Sequence, residues 1–166
     1  MIKRLFTVIL ICILFVYTIQ AQSRKEKKAQ AYQEMVKDIA SGEFNLEATR
    51  VNFNSGTRQI QGEGYSLKLK GDSVEAYLPF FGRAYSVDYN GGGAIEFDEP
   101  INKIDIRKDE KKRKVQMTLR VVTTKDVYDV QLTLFPGSGT INVSSNRRSS
   151  INYEADLVFP KKKSEK

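Results

Sequence analysis

Residues 115–143 read VQMTLRVVTTKDVYDVQLTLFPGSGTINV. Val115, Met117, Leu119 and Val121 occupy every second position, and after a polar break Tyr128, Val130, Leu132 and Leu134 do the same. A strand turns successive side chains to opposite faces, so a period of two places each apolar run on one side and leaves the other side wet. Pro136-Gly137-Ser138-Gly139 breaks the run, and Ile141 and Val143 start it again. Strand, turn and strand with one buried face is the pattern of an antiparallel sheet.

The same pattern extends in both directions. Toward the C-terminus it continues in Ile151, Tyr153, Ala155 and Leu157. Toward the N-terminus, Phe44, Leu46 and Ala48 alternate with polar residues, and the pattern resumes at Val51 and Phe53. Tyr65 to Leu69 and Val74 to Leu78 flank Lys70-Gly71-Asp72-Ser73, where Gly-Asp between two alternating runs marks a hairpin. Ile95 and Phe97 predict a short strand, and Ile104 and Ile106 a second one. The run Arg107-Lys108-Asp109-Glu110-Lys111-Lys112-Arg113 is too charged to bury and reads as an exposed hairpin tip.

These runs amount to about eight or nine strands. Only one amphipathic helix accompanies them: Ala29, Tyr32, Val36 and Ile39 share a face with Met35 beside them, and Gly42 supplies the stop. No second helix is available for a parallel crossover, so the fold class is mainly β and antiparallel. Twisted strands in this number curl into a barrel or stack as a two-layer sandwich, and the alternation suits both.

Residues 1–21 have a different character. Met1 to Arg4 carry two positive charges, fifteen residues without a charge follow, and the segment ends Ile19-Gln20-Ala21. This is the layout of a cleaved secretory signal peptide, and the apolar run falls short of the roughly 20 residues that span a bilayer core. Cys12 sits in the middle of that run, a poor place for a lipidation site. The expected organisation is a signal peptide at 1–21, a helical segment at 22–43, an antiparallel β domain at 44–160 forming one domain with the helix, and a basic tail at 161–166. The expected location is the periplasm or cell envelope, with no transmembrane helix after cleavage.

The chain carries a formal charge of +7, with 27 Lys and Arg against 20 Asp and Glu. Residues 29–160 hold 17 basic and 18 acidic residues, so the excess belongs to the two ends. Terminal basic clusters are ordinarily solvated, and nucleic acid is not expected as a partner.

Residue types restrict the chemistry further. The chain has no histidine, and its one cysteine precedes the expected cleavage point. Neither Ser-His-Asp nor Cys-His catalysis can be assembled, and the usual zinc ligands are missing. Gly91-Gly92-Gly93 is not a dinucleotide fingerprint, because no helix follows it. Asp98, Glu99 and Asp105 remain as candidates for a carboxylate-based glycan-acting enzyme, but neighbours on a strand face opposite ways. Asp88, Asn90, Asp98 and Glu99 flank the glycines as a weak calcium alternative whose spacing matches no EF-hand. No catalytic residue, metal or cofactor is assigned.

One stretch stands outside the alternation, YLPFFGRAYSVDYNGGGAIEF at 77–97. If Val74, Ala76 and Leu78 face inward then Tyr77 faces outward, and Pro79 makes the strand an edge or a break at that point. The aromatics either plug one end of the sheet or rim a pocket in which Arg83, Tyr85, Tyr89 and Arg148 would meet a ligand. Asn146 and Arg148 lie between two strands, where Asn and Ser ordinarily bond their own backbone in a turn.

The run LPFFGRAY at 78–85 with the following glycines, and the block GTINVSSNRRSSINY at 139–153, resemble an uncharacterised family of secreted Bacteroidetes proteins, a domain of unknown function. The resemblance spans roughly 44–157. It implies an envelope protein and carries no activity and no catalytic residue. The expected function is a non-enzymatic envelope domain binding an apolar or amphipathic ligand or an envelope partner. Alternatives are the carboxylate enzyme or a structural role in outer-membrane assembly.

Overall fold

The computed structural model describes residues 24–53, 56–60, 64–81 and 94–160. The expected signal peptide and basic tail lie outside these residues. Helix α1 covers residues 24–39. Tyr32, Met35 and Ile39 are buried and Val36 packs against the core, whereas Ala29 is exposed, so the apolar stripe begins a turn later than the spacing implies. The helix stops because Gly42 takes φ 77°, the left-handed conformation that costs glycine little. The carbonyl of Gly42 then accepts the N–H of Gly71 at 2.9 Å, which ties the helix end to a strand turn.

Among the described residues nine strands follow: β1 (Glu43–Phe53), β2 (Gly56–Gln59), β3 (Ser66–Lys70), β4 (Ser73–Pro79), β5 (Ala94–Asp109), β6 (Lys114–Val122), β7 (Val127–Phe135), β8 (Ser138–Ser145) and β9 (Ile151–Val158). Each from β3 onward is antiparallel to the next, and β1 pairs with β3 on one edge and with β9 on the other. The chain therefore closes as an eight-stranded up-and-down barrel, with β2 as an extra strand on β1. Closure runs from Asn45↔Val158 to Asn52↔Asn152 and selects the barrel over the sandwich.

Two bulges explain where the alternation changes phase. Between Ala48 and Arg50 the pairing of β1 with β9 slips by one residue, which moves the buried positions from Leu46 and Ala48 to Val51. Between Ile101 and Lys103 the pairing of β5 with β6 slips likewise. The two short strands expected around Ile95 and Ile104 are consequently one 16-residue strand. Asn102 caps its bulge by accepting the N–H of Val122 at 2.7 Å.

The barrel axis is filled by side chains. Leu46, Leu67, Leu78, Leu119, Leu132 and Ile141 are all essentially inaccessible, as fits an eight-stranded barrel, whose interior is just wide enough for side chains. Fully burying each such side chain contributes roughly 1.5–3 kcal/mol, which lets the core hold together without a disulfide. Close approach is enforced at Gly139, where a Cβ would stand 2.9 Å from Leu46 Cδ2. Helix α1 and the β3–β4 turn mark one end of the barrel. The other end gathers the end of β1, the start of β2, the end of β4, the start of β5 and the β8–β9 loop.

Candidate functional site: a slit in the barrel wall

The path of β2 and β3 along β1 creates an opening at that second end. Arg50 pairs with Gln59 and Glu47 with Ser66, so three steps along β1 face seven along the returning chain. Ile60 donates to the Thr49 carbonyl at 3.0 Å and the Tyr65 carbonyl accepts from the Ala48 N–H at 2.9 Å, so β2 and β3 reach neighbouring positions of β1 with residues 61–64 of the sequence between them. Pairing of β3 with β4 ends at Ser66↔Tyr77, while Leu78 and Pro79 pair only with β5. Among the described residues β2 pairs only with β1, so no ladder joins β2 to the end of β4. Pro79 has no N–H to extend one.

This gap is a cavity of about 500 Å³ lined by Arg58, Gln59, Ile60, Tyr65, Pro79 and Phe81. Its walls are set by ring contacts. Phe81 lies 5.9 Å from Phe53, and the Arg58 guanidinium sits 4.9 Å from the Phe81 ring centre. Tyr65 stacks on the outward-facing Tyr77 at 5.2 Å. A cation held over an aromatic face beside an apolar floor is suited to an amphipathic molecule with a negative end.

Behind the slit the barrel is latched. The buried Tyr153 donates its hydroxyl to the Pro79 carbonyl at 2.9 Å. Burial raises the Tyr153 phenol pKa above its ordinary range, with the positive charge of Arg148 acting in the opposite direction. Arg148 donates from Nη1 to the Ala94 carbonyl at 2.8 Å and lies 5.1 Å from the Phe80 ring centre. Its backbone N–H, like that of Arg147, donates to Ser145 Oγ, so this loop bonds its own backbone as a turn.

Of the residues expected at a site, Arg148 is not part of the slit lining and instead bonds Ala94 and covers Phe80, and Arg83, Tyr85 and Tyr89 lie outside the described residues. Phe81 lines the slit, and Ala94 pairs with Pro79 and accepts from Arg148. Tyr77 faces outward while Val74, Ala76 and Leu78 face inward, as the alternation requires. β4 is an interior strand that breaks at Pro79, not an edge strand. Arg58, Gln59, Ile60 and Tyr65 were not anticipated. Their segment lacks alternation, and the one clue was the pair of apolar residues, Ile60 and Tyr65, set on either side of a glycine-containing break.

Asp98 and Glu99 do not share a face, whereas Asp105, opposite the exposed Thr118, faces outward as Asp98 does and pairs with Arg107 at 3.0 Å. Asp98 lies opposite Glu75 and Glu99 opposite Val74, which is inward. Glu75 accepts from Lys70 at 2.6 Å and Lys68 at 3.2 Å, and these two bonds lower its pKa, that from Lys70 most. Asp88 and Asn90 lie outside the described residues. Among the described residues no three His, Cys, Asp or Glu converge as a metal-ligand group, and no helix is long and apolar enough to cross a membrane.

Comparison with known proteins places these features in a family. A family model described as Domain of unknown function (DUF4251) matches residues 26–157. The fold is similar to the crystal structure of a DUF4251 family protein from Bacteroides eggerthii DSM 20697. The two chains are 18% identical, the match covers 81% of this chain and 91% of that one, and the TM-score is 0.63. No curated protein matches.

Proposed function

The chain belongs to the DUF4251 family, a domain of unknown function, and we propose that it is a non-enzymatic cell-envelope domain that binds a small amphipathic anion in the slit between β2 and β4. The observation that carries this reading is the slit itself. A volume of about 500 Å³ falls within the range typical of small-molecule sites, and its lining combines Ile60, Pro79 and Phe81 with a single cation, Arg58. The apolar part of a ligand would lie against Phe81 and Ile60. Its anionic end would meet the guanidinium of Arg58, which can present two parallel N–H donors to a carboxylate.

The non-enzymatic part rests on the residue inventory. Without histidine, and with its lone cysteine in the apolar leader, the chain cannot assemble a Ser-His or Cys-His pair, and only carboxylate or lysine chemistry is left to an enzyme. Its location in the envelope rests on the leader at residues 1–21.

Two probes with an apolar body and an anionic end, a fluorescent anilinonaphthalene sulfonate and a medium-chain fatty acid, test the reading by fluorescence and calorimetric titration. Saturable binding to one site is expected, weakened about tenfold or more in Arg58→Glu and in Phe81→Ala. Absence of saturable binding, or binding indifferent to both substitutions, would overturn it.

A further inference from the structure

The second half of β5 has a partner on one side only. Its pairing with β4 ends at Ser73↔Pro100, and from Lys103 to Asp109 it is bonded to β6 alone among the described residues. Ile104 and Ile106 share a face with the buried Leu119 and Met117, yet each is 45% exposed. An unpaired edge carrying exposed apolar side chains is a template for another strand, and proteins commonly guard such edges with charge.

Here the charges have an order that does more than guard. Lys103, Asp105, Arg107 and Asp109 form the alternate row on β5. Across the ladder they face Arg120, Thr118, Gln116 and Lys114, so only Asp109 meets an opposite charge on β6. If β5 is set antiparallel against a second copy of itself with Ile106 opposite Ile106, Lys103 falls opposite Asp109 and Asp105 opposite Arg107, each twice. Sliding the register by two residues either way places Asp105 against Asp105 or Arg107 against Arg107. Opposite charges facing each other stabilise a strand pair and like charges oppose it, so the row selects one register.

We propose that the exposed edge of β5 pairs with the same edge of a second copy of this chain, about a two-fold axis at Ile106, to make a dimer with one continuous sheet across both barrels. Such an interface is isologous and closes on itself, so it ends at two copies. Main-chain hydrogen bonds supply the attraction, and the charge row supplies register and selectivity. The contact lies toward the α1 end of the barrel, away from the slit, and does not depend on what the slit binds.

Sedimentation velocity of the purified protein tests this at micromolar concentration and low salt. A dimer is expected, and it should weaken as salt rises. Asp105→Arg sets like charges opposite each other at both symmetric positions and should raise the dimer dissociation constant at least about tenfold. The double variant Asp105→Arg with Arg107→Asp restores opposite charges across the axis and should recover the dimer. Ile106→Lys should give monomer, with a cooperative thermal transition showing that the barrel still folds. A monomeric wild-type protein would overturn the proposal, as would a dimer that ignores Asp105→Arg or a double variant that fails to recover.

Discussion

The hydroxyl of Tyr153 donates to the carbonyl of Pro79 at 2.9 Å, joining β9 to the end of β4 across the inside of the barrel. Both groups are buried, so neither has water as a ready substitute. Removing one partner of a buried bond leaves the other unsatisfied, which costs about 1–3 kcal/mol. Tyr153→Phe should therefore lower the thermal midpoint by several degrees. Tyr32 provides the contrast, since it too is shielded from solvent but its hydroxyl has no partner among the described residues. Tyr32→Phe should be neutral or slightly stabilising in the same melt.

The Tyr153 phenol also sets an alkaline limit. Its pKa is raised in the fold while an unfolded tyrosine ionises near about 10. The neutral form is the one the fold favours, so the stabilisation is complete below that value and declines as pH rises past it. Ultraviolet titration should show one phenolate appearing only together with unfolding, and that step should be missing in Tyr153→Phe.

Gly139 is required by packing, not by backbone twist. A methyl group there would stand 2.9 Å from Leu46 Cδ2 and 3.2 Å from Leu134 Cδ2. Gly139→Ala should destabilise by about 1–3 kcal/mol, the usual cost of overfilling a packed core. Chemical denaturation would measure it, and a Leu46→Ala background should recover part of the loss, because that change removes the nearest clash.

Arg148 and Arg58 should separate into two roles. Arg148 spends a charged hydrogen bond on the Ala94 carbonyl and covers Phe80, so Arg148→Ala should lower stability by about 1.5–3 kcal/mol. Arg58 is exposed above Phe81, and Arg58→Ala should shift the melt little while weakening binding of the anionic probe. Parallel melts and titrations on the two variants would distinguish latch from ligand contact.

At acid pH the measurable group is Glu75. Bonds from Lys70 and Lys68 hold its pKa below the ordinary carboxylate value, so its contribution is present above the unfolded pKa and is lost as pH falls through the lowered one. Carboxyl chemical shifts should place the titration of Glu75 below that of an ordinary glutamate. In Lys70→Ala the titration should move back toward the ordinary value. The effect on stability should be small, since the pair is exposed to solvent and salt.

Much of this architecture is legible in residue order. The alternation in β6, β7 and β8 specifies strands and their inward faces, and Lys70-Gly71-Asp72-Ser73 marks its hairpin. Ile95 and Ile104 have the spacing of two strands yet belong to one, because a bulge shifts the apolar phase without ending the strand. The slit was not legible. Its residues carry no periodic pattern, and Arg58 reaches Phe81 only because β2 folds back on β1.

From the order of its residues this chain was bound to form one short amphipathic helix and a set of antiparallel strands with a single wet face, because side-chain alternation states which face each strand buries. Alternation is silent about which strand edge finds which, since ladder bonds are made by backbone groups common to every residue. The pairing of β1 with β9, the gap between β2 and β4, and the open edge of β5 were therefore decided by the closed barrel itself.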